Sequence, residues 1–306
     1  MNWFLIALGA PFLWAIVNIF DNYLVANFST KERERSSGGL VLFSSLIGIL
    51  IAVLIFLFTP NLFSISLGDK VLLFITGILT IVWIVFYLFA LEIEEVSNVV
   101  PWFLTVPIFG YILGYFFLGE TLSNKELLGS LIILIGVALV SIDWQKGSRK
   151  LKHKPVLYMS IACLLVAVSG VIFKYVTIDN NFWIASFWEY IGLGVTGILI
   201  YLFVPKYRNE FHFMNKTGGK KIFILNIFSE FLTIAGNLLT NYALLLAPVT
   251  LVYLVGSFQP AIVLILAILG TKFLPKLIKE DISKENLKIK FASMILMLLG
   301  SLLLFI

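Results

Sequence analysis

The run LIILIGVALV, residues 131–140, carries no polar side chain in ten positions. In hydrocarbon every backbone N–H and C=O must be satisfied within the protein, so such a run is either helical or one strand of a closed barrel. A barrel strand alternates lipid-facing and lumen-facing residues over about ten positions. This run does not alternate, and neither does Ala261–Leu269. Both are read as helix. Outward from them, apolar runs of about twenty residues recur along the whole chain, the length that crosses ~30 Å of hydrocarbon at ~1.5 Å per residue.

The spans fall near 3–26, 38–59, 70–91, 96–118, 125–143, 156–178, 182–204, 220–246, 249–270 and 287–306. Of the 306 residues, 60% are hydrophobic and 13% charged, whereas a soluble domain carries about a quarter charged residues. The expectation is an all-α polytopic membrane protein of ten transmembrane helices. Met1-Asn2-Trp3 supplies no basic stretch ahead of the first run, so a cleaved signal peptide is not expected. The single cysteine, Cys163, can form no disulfide within the chain, and His153 and His212 both lie in basic connectors. Intramembrane metal chemistry therefore has no histidine or paired thiols to work with, and no cofactor is expected.

Of the 22 Lys and Arg residues, 19 fall in connectors after odd-numbered spans. The other connectors and the termini hold only Lys70 and Lys125, and Lys174 lies within a span. The positive-inside rule then places the odd connectors in the cytoplasm and both termini outside, in a plasma or inner membrane. The stretch 272–290 mixes apolar and charged residues around Pro275 and reads as a surface helix or a solvated loop.

The chain also repeats itself. Ile19-Phe20-Asp21 matches Ile172-Phe173-Lys174, Phe89-Ala90-Leu91 matches Tyr242-Ala243-Leu244, and Val106-Pro107 matches Gln259-Pro260, all at an offset of 153. That offset is half the chain and divides it into 1–150 and 151–306, each with five spans. An odd number of spans inverts the second half relative to the first. Inverted repeats are a transporter architecture, with the binding site near the midplane between them.

Trp14, Pro107, Leu118-Gly119-Glu120, Gly129 and Leu134-Ile135-Gly136-Val137 resemble the EamA-like branch of the drug/metabolite transporter superfamily. Pro260, Leu269-Gly270 and Leu299-Gly300 echo them in the second half, except that Thr271 stands where the acidic residue of the Leu-Gly-Glu motif would be. The resemblance implies two inverted five-helix repeats moving small metabolites by alternating access. It also implies cytoplasmic termini, where the charge count gives the reverse.

A charge in hydrocarbon costs ~2.5–3.5 kcal/mol on insertion scales, so each must face protein, water or a partner. Asp21, Lys174, Glu189 and Glu230 are the four candidates. Asp21 and Lys174 occupy equivalent repeat positions, each about 10 Å from the midplane but on opposite sides, too far apart to pair. Glu189 lies on the Lys174 side, so these two are expected to pair or share a polar pocket. Asp21 is read as a cap for basic residues such as Arg33, or as a cytoplasmic gate. On span eight, Asn226, Glu230, Thr233, Asn237 and Asn241 are spaced 4, 3, 4 and 4 apart, one helix face. That face is expected to line a pathway, with Glu230 a candidate proton carrier and interhelical hydrogen bonding the plainer alternative. Pro107 and Pro260 are expected to break helix hydrogen bonds, with Gln259 beside the second. Trp14, Tyr87, Trp102 and Tyr253 are placed near a cavity, able to stack on aromatic or cationic cargo.

No nucleotide-binding loop is present. The leading function is a secondary transporter of small organic metabolites, with a membrane-embedded enzyme or a non-transporting scaffold as alternatives. Neither a catalytic constellation nor any feature favouring a scaffold stands out. Expected partners are a small-molecule substrate, the lipid bilayer and protons. A homodimer is compatible with the sequence, and nucleic acid is not expected.

Overall fold

The computed structural model describes residues 2–28, 37–93, 99–141, 153–259, 261–263, 265–266, 292, 295–300 and 302–303. Among them there are helices and connectors but no strand. The order is α1 (Asn2–Phe28), α2 (Gly38–Phe58), α3 (Leu67–Ile93), a 3-10 turn (Val100–Thr105), α4 (Val106–Leu118), α5 (Asn124–Ser141), α6 (His153–Thr177), α7 (Phe182–Phe203), α8 (Pro205–Leu246) and α9 (Val249–Gly256). Among the described residues, six helical stretches are long and apolar enough to cross a membrane: Asn2–Asp21, Gly38–Phe58, Leu67–Ile93, His153–Thr177, Phe182–Phe203 and Ile222–Leu246. Trp102–Leu118 and Val249–Val263 are shorter apolar helices. Large apolar side chains point outward along these helices, with Phe58, Phe116 and Phe203 exposed at 83%, 75% and 76%. Water would not tolerate so continuous an apolar surface, and hydrocarbon does.

Local chemistry sets the helix ends. Pro60 follows α2 and has no N–H with which to continue it. Ser123 and Glu126 close a capping box ahead of α5: the Ser123 N–H donates to Glu126 Oε2 at 2.7 Å, and the Glu126 N–H to Ser123 Oγ at 3.3 Å. Asn181 caps α7, its Oδ1 accepting from the Trp183 and Ile184 N–H groups. Gly119 ends α4 in the left-handed region at φ 64°, and the Glu120 N–H reaches back to the Gly114 carbonyl at 3.1 Å.

Two expectations need correction. The fourth span is not one helix over 96–118. A 3-10 turn precedes α4, and Pro107 sits in the first turn of α4, where its missing N–H breaks no helical bond. The basic connector after span seven is not a loop. Pro205 starts α8 at once, and the helix runs to Gly219, whose backbone (φ 59°, ψ −164°) breaks it before the membrane-length part begins. Tyr207, Phe211 and Met214 share one face of this first segment. Met214 is buried, and Phe211 lies 6.0 Å from the Phe43 ring on α2. Charge hid an amphipathic helix. Residues 272–290 lie outside the described residues.

Helices from the two halves of the sequence interleave. α1 lies along α8, α3 along α6 and α7, and α2 along α7 and α8. α4 packs on α6 and α9, and α9 also meets α1. The closest crossing joins α3 to α7, where Gly77 faces the Glu189 carbonyl and Gly192 faces the Phe74 carbonyl without room for a Cβ on either. Small residues let backbones approach this closely in membranes.

Candidate functional site

The interleaved helices enclose a cavity of about 160 Å³. That is space for on the order of ten waters, hence for a small solute. Its wall takes Trp14, Asn18 and Asp21 from α1, Ser44 from α2, and Thr80, Trp83 and Tyr87 from α3. Phe103 comes from the 3-10 turn, Ser169 from α6 and Glu189 from α7. The α8 stripe supplies Glu230, Thr233, Asn237, Thr240 and Asn241, and Tyr253 and Gln259 close the wall near α9.

Much of this wall is hydrogen-bonded to itself. The Ser44 hydroxyl donates to Glu230 Oε1 in a short contact. The Asn241 amide donates to Glu189 Oε2 at 2.9 Å. Tyr87 Oη donates to Asn18 Oδ1 at 3.0 Å, and Tyr253 Oη to the Val166 carbonyl at 3.0 Å. On residues of this wall two buried polar atoms have no hydrogen-bond partner among the described residues, Asn18 Nδ2 and Ser169 Oγ. Asp21 stands close enough to Glu230 and Tyr87 to act on both electrostatically.

Of the residues singled out in the sequence, Trp14, Asp21, Tyr87, Glu189, Glu230, Thr233, Asn237, Asn241, Tyr253 and Gln259 meet at this wall. Trp102 does not: it packs beside the wall, and its carbonyl accepts from the Cys163 thiol at 3.3 Å. Pro107 is buried in the first turn of α4, away from the wall. Asn226 continues the stripe one turn too far, against the amphipathic segment, where its amide reaches Met214 Sδ at 3.9 Å. Pro260 and Arg33 lie outside the described residues.

Lys174 requires the largest correction, because it does not pair with Glu189. Its ammonium sits 2.5 Å from Glu120 Oε1 and donates to the Ala247 carbonyl at 2.7 Å. Glu120 Oε2 accepts the Val249 N–H at 2.8 Å. The pair thus joins the ends of α4 and α8, the last turn of α6 and the first turn of α9. A carboxylate at a helix N-terminus gains from the exposed N–H groups and the helix dipole. Glu120 therefore holds the start of α9, and Lys174 pairs with it there.

Asn18, Ser44, Thr80, Trp83, Phe103, Ser169 and Thr240 were not anticipated. A signal for several of them existed. Trp14, Asn18 and Asp21 are spaced 4 and 3 apart, and Thr80, Trp83 and Tyr87 are spaced 3 and 4 apart, the same one-face pattern that exposed the α8 stripe. At the other end of the bundle, Ser37 Oγ donates to Glu92 Oε1 at 2.7 Å, and Lys206 lies 4.0 Å from Glu210. Burial, and after it the carboxylates of Glu92 and Glu210, push the Tyr207 phenol up to about 12, so it stays a neutral donor there.

Residues 1–142 match the model of the EamA-like transporter family. Over those residues, just under half of the chain, it is similar to that family. The family is part of the drug/metabolite transporter superfamily. The match covers α1 to α5 and includes Trp14, Asp21, Tyr87 and Glu120. The second half of this EamA-like chain lies outside it. No curated protein matches. A solved structure described only as the crystal structure of a protein is similar at a TM-score of 0.70 and 14% identity, over 99% of this chain and 96% of that one. At that identity the likeness concerns the fold alone.

Proposed function

We propose that this EamA-like protein is a secondary transporter that moves small organic metabolites through the cavity by alternating access. The observation that carries the reading is a wall built by helices of both sequence halves with polar and charged groups deep in the bundle. Charged side chains at that depth are costly unless they serve a path or a partner.

The ten-helix inverted repeat belongs to the same proposal, with 1–150 and 151–306 as its units. Its support is the helix packing. Exchanging each helix with its counterpart 153 residues on turns the α1–α8 contact into α6–α3, α2–α8 into α7–α3, and the contact of α9 with α1 into that of the 3-10 turn with α6. The α2–α7 contact maps onto itself. A pseudo-two-fold axis between the halves predicts this set, and rocking one half against the other would open the cavity to alternate faces.

Protons are the coupling ion proposed, with Glu230 as their carrier. It faces Asp21 from α1, Ser44 from α2 and Tyr190 from α7, and its charged neighbours are acidic. Flux into proteoliposomes at varied pH is the test. Glu230→Gln is expected to flatten the pH dependence, and transport by Glu230→Gln with the wild-type pH dependence would sink the coupling.

A further inference from the structure

Each charged side chain on the described cavity wall is a carboxylate. Asp21 comes from α1, Glu189 from α7 and Glu230 from α8, and no Lys, Arg or His joins them. The one buried cation among the described residues, Lys174, is committed to Glu120 and the Ala247 carbonyl. Single neutral donors, Ser44 and Asn241, reach two of the three carboxylates, and a single hydrogen bond does not neutralise a charge held in a low-dielectric wall. Five aromatic side chains line the same wall among aliphatic and neutral polar ones: Trp14, Trp83, Tyr87, Phe103 and Tyr253. Two further polar atoms face this space unpartnered among the described residues, on Asn18 and Ser169, which are 4% and 8% exposed.

Three kinds of solute can be weighed against that wall. An anion meets three like charges. A metal ion needs several ligands converging on one point, and among the described residues no group of three His, Cys, Asp or Glu side chains stands close enough to hold one. An organic ammonium ion meets both features. Its charge satisfies carboxylates that lack a cation, and its alkyl groups lie on aromatic faces whose electron-rich centres attract it.

We infer that the solute of this cavity is a small organic ammonium ion, its charge held between Glu189 and Glu230 and its body against the aromatic wall. The inference rests on the reading of this cavity as the solute path. Water, protons or a neutral solute could also fill the space, and the experiment separates these.

The purified full-length protein would be titrated calorimetrically with choline, tetramethylammonium and phenethylammonium. Two uncharged or anionic counterparts of choline, 3,3-dimethylbutan-1-ol and 3,3-dimethylbutanoate, would be titrated beside them. At least one ammonium ion is expected to bind, with choline at least ten-fold tighter than its neutral isostere. Glu189→Gln is expected to abolish that preference. If Glu189→Gln fails to fold, the comparison of choline with its isostere on the wild-type protein decides alone. Binding of the isostere as tight as that of choline, or binding by none of the three ammonium ions, would overturn the inference and leave the transport reading standing. Binding of ammonium ions without any flux would do the reverse.

Discussion

Glu120 gives one carboxylate oxygen to the Val249 N–H and the other to the Lys174 ammonium, and both side chains are nearly shut off from solvent. Breaking a buried pair on one side leaves an uncompensated charge and costs about 3 kcal/mol or more. Glu120→Gln and Lys174→Met should each lower the unfolding midpoint. The double variant, with no stranded charge, should lose no more than the worse single variant. Losses that simply add would contradict the pairing. This junction was half legible in the sequence. The helical rise fixes the depth of Lys174 but not which neighbour at that depth faces it. Glu189 was the nearest carboxylate along the chain to lie within a span, whereas Glu120 ends a span and read as a motif residue rather than as a charge in need of a partner.

At the scale of the element, polar spacing was the dependable signal and charge the misleading one. The stripe on α8 put Glu230, Thr233, Asn237 and Asn241 on one face before any coordinates, and those four line the cavity. The same spacing on α1 and α3 went unread, because Asn18 and Thr80 are uncharged and drew no cost argument. Charge misled at 205–218, where Lys and Arg residues were counted only as a basic connector and Tyr207, Phe211 and Met214 nonetheless make a helix face. The α3–α7 crossing follows from glycine in a way no periodicity reveals. A methyl group at Gly192 would meet the Phe74 carbonyl. Gly192→Ala should cost about 1–3 kcal/mol as the helices move apart, read as a lower thermal midpoint of the detergent-solubilised protein. A midpoint equal to that of the wild type would mean that the crossing is looser than it stands here.

For the whole molecule, the membrane class was fully legible and the pathway only in outline. Apolar runs of spanning length fixed the first, and six of them stand as long apolar helices. The repeat offset of 153 pointed to a path between the halves, but three-dimensional packing was needed to show which carboxylates share a wall. The central claim is that solute crosses the membrane through this cavity. The direct measurement is uptake of radiolabelled choline, or of whichever ammonium ion binds, by proteoliposomes holding the wild-type protein or Asn237→Trp, which fills the cavity from α8. The account predicts saturable uptake by the wild type and none by a folded Asn237→Trp. Equal uptake by both proteins, or none by the wild type for a solute that binds it, would contradict the claim.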